Sequence, residues 1–131
     1  METHFDKVKD FLTELQYEIV SEDPSEELVV IDKEEDSIKN VIIDCEDDIL
    51  IIEVVLLDIK NSDKGMLEWL LKANRNLIHG AFALDESGSK LLFRDTLQLE
   101  NLDINELEGS LNALQLLLSE YMNELIQFSK Q

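Results

Sequence analysis

A chain of 131 residues with four Gly and one Pro is a single domain by size, spanning 1–131, with no low-complexity linker to divide it. Its residues are 44% hydrophobic and 31% charged, which is globular rather than disordered, and 30 Asp and Glu against 11 Lys and Arg leave a net charge of −19. That balance excludes nucleic acid as a partner, since phosphate binding needs clustered cations, and it repels anionic lipid heads equally. The charge then reads either as plain solubility or as a surface matched to a basic partner protein.

The N-terminus, METHFDKVKD, has no apolar core of the kind a signal peptide needs, so the expected location is the cytoplasm. Thr3 and Asp6 offer a cap and a first-turn acid for a helix from about Thr3 to Gln16. Phe5, Val8, Leu12 and Leu15 recur at helical steps, and Phe11 widens their stripe. This face has to bury against something. The sequence leaves open whether that is the chain's own sheet or a segment of a partner.

Glu22-Asp23-Pro24-Ser25 is turn chemistry. Three strands follow: Leu28 to Ile31, Val41 to Cys45, and Ile49 to Leu57, with Lys33 to Ser37 a charged connection. Short connections predict an antiparallel meander. The third strand is interrupted only by Glu53, which predicts burial on both faces or a central place in the sheet, and it is far too short to span a membrane.

Ser62 or Asp63 is placed to cap a second helix running to about Leu77. Leu67, Leu70, Leu71, Asn74 and Leu77 form its expected main face, with Met66, Trp69 and Ala73 on an adjacent one. A helix apolar on two faces needs two neighbours, which points to either a second subunit or the last helix. His79-Gly80 is the expected stop. Ala81 to Leu84 and Leu91 to Arg94 then read as a hairpin around Asp85-Glu86-Ser87-Gly88.

Asp103 with Glu106 makes a capping box for a long final helix. Ile104, Leu107, Leu111, Leu114, Leu118, Tyr121, Leu125 and Phe128 alternate steps of 3 and 4. That spacing fits a coiled-coil seam as well as a helix laid across a sheet. Leu116, Leu117, Met122 and Ile126 widen the stripe, favouring burial on the sheet or on a subunit partner. The expected order is α-β-β-β-α-β-β-α, an α+β fold with an antiparallel sheet packed by helices.

Chemistry-bearing motifs are lacking. Asp44-Cys45-Glu46-Asp47-Asp48 is acidic but lacks the spaced oxygens and central Gly of a calcium loop. His4 and His79 have no co-ligand at useful spacing. Cys45 is alone, which excludes an intrachain disulfide, and its acidic neighbours disfavour a thiolate. Ser87 and Ser89 lie in a turn with no base in range. Arg94, one of only two Arg, pairs most simply with one of the many acids. No catalytic residue, metal or cofactor is expected, and no enzymatic activity.

One stretch carries a resemblance. Asn74-x-x-Leu77-x-x-Gly80-Ala81-Phe82-Ala83-Leu84-Asp85-x-x-Gly88, then Leu91-Leu92-Phe93-Arg94, then Leu97-x-Leu99-x-x-Leu102-Asp103-x-x-Glu106-Leu107, resembles the type III secretion chaperone-like superfamily, in its Tir-chaperone (CesT) and YbjN-type branches. The resemblance extends to element order over essentially the whole chain. It implies a small acidic cytoplasmic homodimer without enzymatic activity that holds a non-globular segment of another protein. The second helix and following hairpin then supply the dimer interface, with Met66, Trp69 and Ala73 as candidates. Phe5, Val8, Leu12 and Leu15 become candidates for gripping a segment with apolar anchors and basic flanks. The alternative is an accessory of a bacterial stress response that binds a folded partner. Leu28 to Asp48 is longer and more acidic than the secretion class leads one to expect.

Overall fold

The computed structural model describes residues 2–59 and 64–129. The first helix, α1 (His4–Glu14), starts at the capping box the sequence offered. The Thr3 hydroxyl accepts from the Asp6 N–H at 3.0 Å, and the Asp6 carboxylate accepts from the Thr3 N–H at 3.1 Å. Two otherwise orphaned donors are thereby satisfied.

Four strands follow, β1 (Glu18–Asp23), β2 (Leu28–Lys33), β3 (Ile38–Glu46) and β4 (Ile49–Asp58). Then come α2 (Lys64–Asn74), the hairpin β5 (Ala81–Leu84) and β6 (Lys90–Gln98), and α3 (Ile104–Ser129). All strands pair antiparallel in one sheet, in the order β1-β2-β3-β4-β6-β5. The α+β architecture is the one expected, with one more strand. Glu22 and Asp23 lie in β1 rather than in the turn, which starts at Pro24. The strand was hard to read because it is an edge: with one neighbour and little buried surface, Glu18–Asp23 needs no apolar alternation.

Burial alternates along β2, β3 and β4, while β6 buries Leu91, Leu92 and Phe93 in a row. Val29, Ile31, Val41, Ile43, Cys45, Leu50, Ile52, Val54 and Phe93 are buried on one face. Phe5, Val8 and Leu12 of α1, Met66, Leu70 and Ala73 of α2, and Leu107, Leu111, Leu114 and Leu117 of α3 join them in one core. All three helices therefore cover the same side of the sheet, and the other side faces solvent. Of the two expectations for β4, the central place in the sheet is the one that holds. The strand lies between β3 and β6 and is buried on one face only, with Val55 53% exposed.

The second helix ends earlier than expected, at Asn74, and turns a different side inward. Met66, Leu70 and Ala73 are buried, while Leu71 is 72% exposed. Successive tight bonds from Arg75 to Lys72, Asn76 to Ala73 and Leu77 to Asn74 close its end. The Asn74 amide leaves the helix for the β5 edge: the Phe82 N–H donates to Asn74 Oδ1 at 2.7 Å, and Asn74 Nδ2 donates to the Phe82 carbonyl at 3.1 Å. Gly80, at φ +73, then lets the chain pass directly over the Phe93 ring. The expected caps Ser62 and Asp63 lie outside the described residues.

The last helix has the expected reciprocal bonds between Asp103 and Glu106. Its 26 residues run about 39 Å at 1.5 Å per residue. Its apolar stripe lies on the chain's own sheet, with Leu107, Leu111, Leu114, Leu117 and Leu125 buried. The stripe that fits a coiled-coil seam is thus used for packing within the chain.

Candidate protein-binding surfaces

The apolar stripe of α1 is occupied. Phe5, Val8 and Leu12 are buried by the chain's own sheet, and Leu15 packs half-buried beside them. In this conformation a partner segment reaches none of the three buried side chains unless α1 leaves the sheet.

The second helix's candidates are also turned inward. Met66 and Ala73 are buried in the core. Trp69 sits in an aromatic cluster, with ring centroids 5.6 Å from Tyr121, 5.6 Å from Phe128 and 6.2 Å from Phe82. Its indole Nε1 donates to Glu124 Oε2 at 3.1 Å. Here α3 of the same chain covers the face that sequence reasoning left to a second subunit or the last helix.

The exposed apolar groups on the helix side lie elsewhere. Leu71 points away from the core, Ile78 is 90% exposed and Leu116 is 60% exposed. Ile78 and Leu116 line a hollow of about 320 Å³ between the α2–β5 connection and α3, together with His79 and Tyr121.

The solvent side of the sheet has a pattern the sequence alone did not reveal. Cross-strand pairs set Ile42 beside Glu53, Asp44 beside Ile51, and Glu46 beside Ile49. Two acids, Asp44 and Glu46, therefore follow one another down the solvent side of β3, directly beside two isoleucines, Ile51 and Ile49, of β4. On β2, Val30 pairs with Ile42 and Leu28 with Asp44. Arg94 of β6 lies opposite Glu53 and bonds it, Nη1 to Oε2 at 2.7 Å. Partial burial, followed by the charges of Glu46, Glu26 and Glu53, raises the Asp44 carboxyl above its ordinary value. Strand pairing was the missing information: Val41 to Cys45 alone does not say which residue lies beside Asp44.

Strand alternation also disperses the acidic run. Asp44 and Glu46 face solvent, Cys45 faces the core, and Asp47 sits in a left-handed turn at φ +53. Among the described residues no three His, Cys, Asp or Glu side chains gather to hold a metal. Burial, then Glu27 and Asp44, push the Cys45 thiol up to about 12, so it is no nucleophile.

A model of the CesT_Tir_1 family matches residues 1–131. The chain belongs to the CesT_Tir_1 family. Membership makes it a chaperone-like protein-binding module of the type III secretion chaperone-like superfamily, a class without enzymatic activity. Solved structures agree on the fold. One is described as the HopA1–SchA chaperone–effector complex: TM-score 0.62, 16% identity, 92% of this chain and 91% of that one covered. Another is the Yersinia pestis type III secretion chaperone SycH with a stable fragment of YscM2: TM-score 0.62, 19% identity, 86% and 93% covered. No curated protein matches the chain in sequence. Among the described residues no helix is long and apolar enough to cross a membrane.

Proposed function

We propose that this member of the CesT_Tir_1 family is a cytoplasmic homodimer that holds a segment of another protein. The observation that carries the dimer is the exposed apolar set Leu71, Ile78 and Leu116 on the helix side. These residues replace Met66, Trp69 and Ala73 as the interface, because those three already pack within their own chain. The family supports the holding of a partner segment, since the neighbouring structures are a chaperone–effector complex and a chaperone with a bound fragment. The partner meets the outside of the folded domain rather than the buried stripe Phe5, Val8 and Leu12.

Sedimentation equilibrium at micromolar concentration is expected to give twice 15.1 kDa. The double substitution Leu71→Glu and Ile78→Glu is expected to shift the mass to one chain while the melting transition persists. A monomer at every concentration overturns the dimer. For the holding activity, the natural partner is recovered from the source cell by cross-linking and the complex is treated with protease. A short protected segment of the partner supports the reading, and protection of an intact folded domain overturns it.

A further inference from the structure

We propose that the solvent side of the sheet, around Ile42, Asp44, Glu46, Ile49 and Ile51, docks a basic extended segment of a partner protein, its Lys or Arg heads on Asp44 and Glu46 and their stems on the aliphatics. The inference rests on the reading that this family member holds a partner segment, and it names where the segment lies and what it carries.

Asp44 and Glu46 of β3 lie in a row beside Ile51 and Ile49 of β4. Cross-strand neighbours in an antiparallel sheet lie about 5 Å apart, so every acid here is flanked by aliphatic groups. A plain solubility surface needs no Ile at the solvent face, yet Ile42 and Ile49 are both exposed there. A plain apolar dock has no use for acids between its anchors. Long cationic side chains match both features at once, because they lay an aliphatic stem on apolar surface and reach a carboxylate with the head. In an extended chain, side chains two apart fall on the same side about 6.8 Å from each other, which fits Asp44 and Glu46, two residues apart on the same face of β3.

Arg94 is committed to Glu53. Among the described residues no Lys or Arg pairs with Asp44 or Glu46. A second copy of the chain is the wrong occupant, since a two-fold pairing sets acid against acid in a molecule of net charge −19. The exposed Leu71, Ile78 and Leu116 lie on the helix side, across the core from this face, so dimer and segment do not compete.

The probe is a synthetic peptide of about twelve residues alternating lysine and leucine, followed by fluorescence anisotropy at moderate salt. The pair Asp44→Asn and Glu46→Gln is expected to weaken binding roughly tenfold. The control pair Glu108→Gln and Glu120→Gln, exposed on α3, removes the same formal charge and is expected to cost less than about twofold. Ile42→Ser is expected to weaken binding without altering net charge. Equal losses in the two pairs mean that a diffuse field attracts the peptide, and they overturn the proposal. So does an unchanged affinity in the Asp44 and Glu46 pair. A natural partner that stays bound to that pair leaves the holding reading intact and refutes only this placement.

Discussion

Replacing Gly80 by Ala tests how the second helix is joined to the sheet. Gly80 sits at φ +73, where an L side chain costs about 1–2 kcal/mol. An added Cβ also clashes with the Cζ and Cε2 edge of the Phe93 ring and lies 3.1 Å from the Arg94 carbonyl oxygen. Phe93 is wholly buried in β6 and has nowhere to retreat, and overpacking of that kind costs about 1–3 kcal/mol. The two effects sum to about 2–5 kcal/mol. Gly88 provides an internal control. Its φ is +76, but nothing lies within 4 Å of its would-be Cβ, so Gly88→Ala carries only the backbone cost of about 1–2 kcal/mol. Urea unfolding followed by circular dichroism measures both variants. With a slope of about 1–3 kcal/mol per M, the Gly80→Ala midpoint is expected to lie on the order of 1 M below that of Gly88→Ala. Equal midpoints refute the steric argument. A Gly80→Ala loss below about 1 kcal/mol refutes the left-handed requirement as well.

Val8→Asp sets an unpaired carboxylate into a site that is 1% exposed, and a loss of more than about 3 kcal/mol is expected, seen as a collapsed melting transition. Retained melting with lost partner binding restores the α1 stripe as a binding surface. Alkaline pH probes the same core. Burial, then Asp36 and Glu108, push the Tyr17 phenol up to about 12 from 10.0, and the Cys45 thiol rises to about 12 from 9.0. The unfolded chain then ionises first, so the stabilisation is present below about pH 9–10 and drains away toward pH 12. Urea midpoints are expected to fall across that window, and to fall less steeply in the Tyr17→Phe, Cys45→Ala double variant. A parallel decline in parent and variant rejects the assignment.

Local signals made much of the fold legible. Thr3 with Asp6 and Asp103 with Glu106 mark two helix starts through bonds spanning three residues, so the sequence contains everything needed. Gly88 likewise announces the hairpin. What failed depended on distant neighbours. Asn74 fits a helical apolar stripe by spacing, yet its amide serves a strand eight residues on. The inward side of α2 followed from that clamp and from Trp69 meeting three aromatic rings, two of them in α3. The binding face was hidden for the same reason. Each of Ile42, Asp44, Ile51 and Glu53 looks ordinary in its own strand, and only the register sets them side by side.

The Asn74 amide on Phe82 has a consequence for assembly. In an antiparallel ladder both main-chain groups of a residue point the same way, so this side chain stoppers the middle of the outer edge of β5. Fibre growth by sheet extension needs two unlike free edges in every molecule, one to give and one to receive. Here the opposite edge, β1, is the one left to pair, and pairing of like edges closes at two copies. Glu18, Glu22 and Asp23 along β1 make even that meeting repulsive. One amide and a few carboxylates thus work against edge-to-edge growth of a broad six-stranded sheet.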